Sequence, residues 1–492
     1  VPPDAPVRLS SARGKWILTA TVLGSSVASL DATVVNVALP KIGESLHTGV
    51  AGLQWTVNAY TLTLASFILL GGSLGDRLGR RRVFVWGAWG FVVTSILCAL
   101  ANDVGLLVGA RLLQGIAGAL LTPGSLALIS SSIAREDQGT AIGLWSGLSG
   151  VAGAIGPLFG GGLIDWIGWR SIFLLNVPIA LAVVYIAKRY VPESRDPHAP
   201  SRLDLPGAIV VAVALGALTF GLIDERLIFT IAGGVGLVIF VLIELRSPFP
   251  LVPPRMFKSR VFSAANLVTL FVYAANGGIF FLLVLQLQLV AGYSPIKAGA
   301  ATMPVTLLML ILSAPAGRWA QKHGAHWPMT LGPLIAAVGV LLMQRVGPHA
   351  NYVSDVLPSL LIFGIGLSVM VAPLTGAVLG AIPEADAGIA SGVNNAVART
   401  AQLLAVAALP GLAGISGAFH DPVVFASGFD TAMRWCAILL AIGGLIAAIG
   451  LSDVKPRRQP DRVDCLPHCA GTDGPALAPR SAGSQPQPHP GH

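Results

Sequence analysis

The sequence predicts an all-α polytopic membrane protein, and three observations predict it. First, 54% of the 492 residues are hydrophobic and only 11% are charged, against about 25% charged in a soluble domain; the mean hydropathy is +0.75. Second, apolar runs near the ~20 residues that cross a bilayer recur about fourteen times. Third, Lys and Arg gather in alternate short loops, the asymmetry that keeps loops cytoplasmic on insertion. The net charge of +8 is therefore a topology signal. The expected partner is the lipid bilayer, and no nucleic-acid partner is expected.

Taken in order, residues 1–15 form a cytoplasmic N-terminal segment carrying Arg8, Arg13 and Lys15. The apolar stretch that follows, 16–39, outruns the ~7–15-residue core of a signal peptide, so it reads as an uncleaved first helix. The second and third spans, 55–70 and 83–101, flank a polar hinge, GSLGDRLGRRR, from Gly72 to Arg82. Its Arg77, Arg80, Arg81 and Arg82 place it inside. Gly72 and Gly79 permit a tight turn, and Asp76 is suited to a neighbouring helix N-terminus, where the dipole favours a carboxylate. A fourth span, 106–129, holds Arg111, Gln114 and Gly115. A glycine-rich fifth, 140–163, and a sixth, 171–187, complete a bundle over 16–190.

A polar, proline-bearing loop at 188–204 then marks a boundary. Two inserted spans, 205–223 and 227–245, lie within a linker over 191–260 that contains Pro248, Pro250, Pro253 and Pro254. Six more spans, at 262–290, 298–316, 328–346, 357–382, 387–412 and 431–451, make a second bundle over 261–451. An even span count puts both termini on one side, and Lys455, Arg457 and Arg458 place that side inside. The Pro-, Gly- and Ser-rich tail, 452–492, is expected to be disordered and cytoplasmic. Its Cys465, His468 and Cys469 lack a fourth metal ligand, so no metal is expected; Cys98 and Cys436 read as packing residues. A faint repeat aligns GRWAQKHG (Gly317 to Gly324) with Gly72 to Gly79, with Gln321 where Asp76 stands. Repeated halves are how many secondary transporters are built, with the site between them.

Asp31 is the sharpest chemical signal. A charge inside an apolar span costs at least ~2.5–3.5 kcal/mol on insertion scales, so such residues usually face a cavity and a function. Burial favours the neutral form of a carboxylate, which equips an intramembrane acid to exchange a proton. The plainer alternative is an ion pair with Arg111, the second intramembrane charge, since buried ions are usually paired. Trp55, Asn58, Tyr60, Gln114, Trp145, Asn176, Tyr273, Asn276, Phe280, Gln286 and Gln288 are candidate cavity walls. Aromatics with a few polar groups suit a broad amphipathic ligand, although any one of them also serves as ordinary helix packing. There is no G-x-x-x-x-G-K-[ST] phosphate loop, no H-E-x-x-H, and no G-x-S-x-G with triad partners. The chain is not expected to be an enzyme.

The hinge residues Gly72, Leu74, Asp76, Arg77, Gly79, Arg80 and Arg81 resemble the signature loop of the major facilitator superfamily, G-x-L-a-D-r-x-G-r-k, with Gly75 where Ala is common. The run LDATVVNVALP, with Leu30, Asp31, Thr33, Val34, Asn36, Ala38 and Pro40, resembles a first-helix motif of its fourteen-span drug:proton antiporters. Arg111, Gln114 and Gly115 resemble their R-x-x-Q-G motif. Gly156, Pro157, Gly160 and Gly161 resemble their G-x-x-x-G-P-x-x-G-G, with Ala152 at the first glycine. Arg399 resembles a further arginine of that family, with Gln402 and Leu403 replacing the Gly-Gly often found after it.

The resemblance covers about residues 16–451. It implies the major facilitator fold: two six-helix bundles plus two inserted helices around a cavity that opens to each side in turn. It also implies that the hinge is a conformational latch, that Asp31 and Arg111 carry proton coupling, and that the fifth-helix motif marks an exporter. The implied activity is proton-coupled antiport of amphipathic small molecules, as in multidrug efflux and antibiotic resistance. Such a protein is driven by the proton gradient without a cofactor, sits in the cell membrane and works as a monomer. The alternatives are a dedicated exporter of an endogenous metabolite or cell-envelope lipid component, and a non-transporting receptor or scaffold.

Overall fold

The computed structural model describes residues 7–196, 203–383, 386–415, 417 and 421–451. The expectations for the tail, including Cys465, His468 and Cys469, fall outside the described residues. Hydrocarbon offers the backbone no hydrogen-bond partner, so each apolar run must satisfy its own N–H and C=O groups as a helix. The first six helices are α1 (Ala12–Leu46), α2 (Val50–Leu78), α3 (Arg80–Ala99), α4 (Val104–Ser132), α5 (Arg135–Trp166) and α6 (Ser171–Tyr190). The inserted pair is α7 (Leu205–Ile223) and α8 (Leu227–Arg246). The second half holds α9 (Arg260–Leu285), α10 (Pro295–Ala301), α11 (Met303–His323), α12 (His326–Leu342), α13 (Leu357–Gly380), α14 (Ala387–Leu412) and α15 (Pro422–Gly450). Polar side chains start several of them: Ser11, Asp103 and Asp204 accept from Gly14, Leu106 and Gly207 N–H groups at 3.0, 2.9 and 2.8 Å, filling donors that a helix start leaves open.

Among the described residues, thirteen helical stretches are long and apolar enough to cross a membrane, with α10 and α11 counted as one. The remaining expected span, α14, falls short in hydropathy because it carries Asn394, Asn395, Arg399 and Gln402. It nonetheless packs between α9 and α2 like the others.

Helix pairing repeats between the halves. In the first, α2 packs on α4, α3 on α4 and α6, and α1 on α5 and α6. In the second, α11 packs on α13, α12 on α13 and α15, and α9 on α14 and α15. The two aligned loops also turn alike. Helix α2 continues through Leu78 and breaks at Gly79 (φ +119°), and α11 continues through His323 and breaks at Gly324 (φ +94°). Both backbones lie where only glycine sits without strain. The sequence reading placed a polar loop over Gly72 to Arg82; most of that stretch is instead the last turns of α2, with the reversal compressed into Gly79.

The halves meet through α2 with α14, α5 with α10 and α11, and α1 with α9. At the end remote from Asp76 this seam is closed. Gln54 Nε2 donates to the carbonyls of Val406 and Ala407 at 2.8 and 3.0 Å, and Gln288 Nε2 to that of Val37 at 2.9 Å. Ile296 N–H donates to Asp165 Oδ2 at 3.1 Å. Small residues make the approach possible: a Cβ on Gly161 would stand 2.6 Å from Ile296 Cα, and one on Gly299 would overlap the Pro157 carbonyl. Toward the Asp76 end, no neighbouring helix comes within 4 Å of where a Cβ would stand on Gly139, Gly143, Gly147 or Gly150 of α5. Helix α7 lies against both α2 and α14, with Leu62, Leu215 and Leu403 meeting in one apolar cluster.

Gly161→Val is expected to keep the remote end from closing, because the added side chain meets backbone that cannot yield. In a background without native cysteines, Thr33→Cys should then react several-fold faster with an impermeant maleimide applied from that face; an unchanged rate would show that this contact does not seal the seam.

Candidate functional site

Asp31 and Arg111 lie at the centre of the first bundle, 3% and 1% exposed. Arg111 Nη1 donates directly to Asp31 Oδ2. Asp31 Oδ1 accepts from Gln114 Nε2 at 3.1 Å and from Asn176 Nδ2 at 2.9 Å. Arg111 also donates through Nε to the Thr56 carbonyl at 3.1 Å and through Nη1 to Gln114 Oε1 at 2.8 Å. Gln114 reaches on to Ser95 Oγ at 3.0 Å. Two buried charges are thus paired, and their remaining lone pairs and protons are largely met, the condition under which a buried ion pair survives its desolvation cost. The sequence places these groups because Gly115 follows Gln114: a Cβ there would overlap Thr63 Oγ1 and the Tyr60 carbonyl. Without it, α4 could not approach α2 closely enough.

The guanidinium of Arg111 lies over the Tyr60 ring, 4.4 Å from its centroid. Tyr60 also lines a cavity of about 220 Å³ between the halves. Its wall includes Thr33 and Asn36 of α1, Asn58 and Thr61 of α2, Asn276 and Phe280 of α9, Thr306 of α11, and Arg399 and Gln402 of α14. Tyr60 therefore touches both the cavity and the ion pair.

The candidate walls divide. Asn58, Tyr60, Asn276 and Phe280 line the cavity. Gln114 and Asn176 belong to the ion-pair network behind it. Trp55 meets Phe220 of α7 at 6.3 Å. Trp145 donates to Ser25 Oγ at 2.9 Å. Tyr273 packs on the second-half core, Gln286 donates to the Val346 carbonyl at 2.6 Å, and Gln288 sits in the closed seam. Thr61 and Thr306 were not singled out in the sequence. The signal available was spacing: Thr33 with Asn36, Asn58 with Thr61 and Arg399 with Gln402 are polar pairs three apart, on one helical face of an otherwise apolar span.

The fifth-helix glycines serve two neighbours. Gly156 and Gly160 face Thr33 and Val34 of α1, while Pro157 and Gly161 face α10. In the basic hinge, Arg80 donates to Asp76 Oδ1 at 2.8 Å. Arg81 N–H donates to Glu193 Oε1 at 3.1 Å, with the Arg81 and Arg82 side chains 3.6 and 3.7 Å from that carboxylate. Asp196 N–H donates to the Asp76 carbonyl at 3.0 Å. Gly72 packs beside Pro123, and Arg77 is exposed.

Two repeated helical bundles, a cavity between them sealed at one end, and a buried ion pair one ring away define an integral membrane transporter rather than an enzyme. The chain belongs to the Major Facilitator Superfamily, whose sequence profile matches residues 21–406. It is 33% identical to a tetracenomycin C resistance and export protein of Streptomyces glaucescens over 81% of this chain and 76% of that one. It is 34% identical to the cephamycin export protein CmcT of Amycolatopsis lactamdurans, over 87% and 91% of the two chains. It is also 34% identical to the multidrug resistance protein Stp of Mycobacterium tuberculosis, over 77% and 72%. The crystal structure of a D-xylose–proton symporter superposes with a TM-score of 0.65 at 16% identity, covering 89% of this chain and 98% of that one. That likeness shows the fold alone.

Removing one member of a buried pair typically costs about 3–5 kcal/mol. Arg111→Met and Asp31→Asn should each lower unfolding stability in mixed micelles, and the double variant should lose about 1–3 kcal/mol less than the sum. Strictly additive losses would show that the two groups do not act as a unit.

Proposed function

We propose that the chain is a proton-coupled antiporter that exports amphipathic small molecules by alternating access. The observation that carries this reading is the Asp31–Arg111 pair, whose guanidinium lies over Tyr60, a residue of the inter-half cavity wall. A proton delivered to Asp31 cancels the carboxylate's charge. Arg111, left without its counter-ion, is then held by the Thr56 carbonyl, Gln114 Oε1 and the ring of Tyr60. An occupant of the cavity touches Tyr60 as well. Protonation and occupancy thus act on one guanidinium in opposition, and two ligands that oppose each other at equilibrium are what an exchanger requires. Export as the direction is supported by the relatives, whose names describe resistance and export.

The basic hinge supports an orientation with Asp76 and both termini on the cytoplasmic side of the cell membrane. The sealed end then faces outward, and α5 stands clear of its neighbours on the inside. In this arrangement Asp76, Arg80, Arg81 and Glu193 form a latch confined to the first half, which the opposite state would have to remake. The reading needs no cofactor and only one copy of the chain. A dedicated exporter of a single endogenous compound is the second reading, favoured by the two relatives named for one compound each.

Asp31→Asn should abolish pH-gradient-driven efflux in proteoliposomes, tested with lipophilic cationic, neutral and anionic dyes, while the protein still inserts. Efflux equal to that of the unsubstituted protein would falsify the coupling role.

A further inference from the structure

Among the described residues, Arg399 is the only charged side chain that lines the cavity. It is half-buried at mid-span of α14, and its hydrogen bond is to Gln402 Oε1 at 3.3 Å, within its own helix. Among the described residues it forms no ion pair, and Asp31, the buried acid of the first bundle's centre, is committed to Arg111. An arginine at membrane depth without an acid partner is costly and marks a place where something else supplies the negative charge.

A second observation points the same way. Asn58 is fully buried in the cavity wall, and neither its Nδ2 nor its Oδ1 has a partner. Asn276 Oδ1 and Asn36 Oδ1, in the same wall, are also unmet. Buried amides are almost always hydrogen-bonded, so this group is completed by what enters the cavity. The rest of the wall mixes the apolar side chains of Val37, Val57, Phe280, Phe281 and Val406 with the hydroxyls of Thr33, Thr61, Thr302 and Thr306.

We propose that the cavity is selective for amphipathic anions, with Arg399 as the counter-ion of the ligand's oxyanion and Asn58 as its second polar contact. The planar guanidinium matches an oxyanion with two acceptor oxygens, such as a carboxylate, through parallel N–H donors. A rigid apolar body then lies between α2 and the phenylalanines of α9. An amphipathic cation of the same shape places like charge beside Arg399 and is rejected. The proposal names the substrate class for the export reading and rests on it only in taking this cavity as the substrate site.

The test uses the purified full-length chain in nanodiscs at neutral pH and three probes on one skeleton: anthracene carboxylate, anthracene methanol and anthracene methylamine. Equilibrium dialysis should show the carboxylate bound about tenfold or more tighter than the amine, with the alcohol between them. Arg399→Gln should shrink the carboxylate-to-amine ratio by about tenfold, and Arg399→Lys, which keeps the charge but not the fork, should restore part of it. Should Arg399→Gln fail to elute as a folded monomer, the three-probe series on the unsubstituted chain and on Arg399→Lys decides the question alone. Equal binding of carboxylate and amine, a preference for the amine, or no binding of the carboxylate overturns the proposal, as does an unchanged ratio in Arg399→Gln. Because dialysis reads binding without transport, anion preference with no proton-driven flux would sink the export reading alone. Flux without preference would sink only the selectivity.

Discussion

The structure depends on one interaction, the ion pair between Asp31 and Arg111 in the low-dielectric centre of the first bundle. Neither charge is tolerable there alone. Together they persist because Gln114 and Asn176 complete the carboxylate and the Thr56 carbonyl takes the guanidinium's Nε. These partners come from α2, α4 and α6, so satisfying the pair sets the level at which those helices meet α1. The close approach of α4 to α2 at Gly115 follows from the same demand. Tyr60, shared by the pair and the cavity wall, is the geometric result.

Much of this was legible in the sequence, for a physical reason. A carboxylate or guanidinium inside a 20-residue apolar run is conspicuous whatever surrounds it, because its cost is paid to the solvent and not to a neighbour. Asp31 and Arg111 therefore stand out before any contact is known, whereas Arg399 is marked only by its resemblance. The basic hinge stood out too, although its conformation did not. The Asp76–Arg80 bond bridges the break between α2 and α3, and Gly79 alone supplies the reversal, so Gly72 to Leu78 stay helical where their composition suggests a loop.

Polar and aromatic residues in the spans were less readable. The NH2 of an amide in a membrane helix is met by any carbonyl it reaches, as that of Gln286 is by Val346 and that of Gln54 by Val406 and Ala407. Composition does not say whether such a group faces a cavity or a seam. Trp55 depends on something still more remote, the docking of the inserted pair that brings Phe220 beside it. The halves repeat their helix pairing while their chemistry diverges: the buried pair sits in the first, and the unpaired guanidinium projects from the second.

The inserted pair makes the two flanks of the molecule mechanically unequal. Helix α7 is packed on α2 and α14 together, so parting those two helices also strips apolar surface from α7, at roughly 25 cal/mol for every Å² uncovered. Among the described residues, neither inserted helix packs on α5 and α11 together. Separating the halves along α5 and α11 therefore leaves the apolar surface of α7 covered, whereas separating them along α2 and α14 uncovers it.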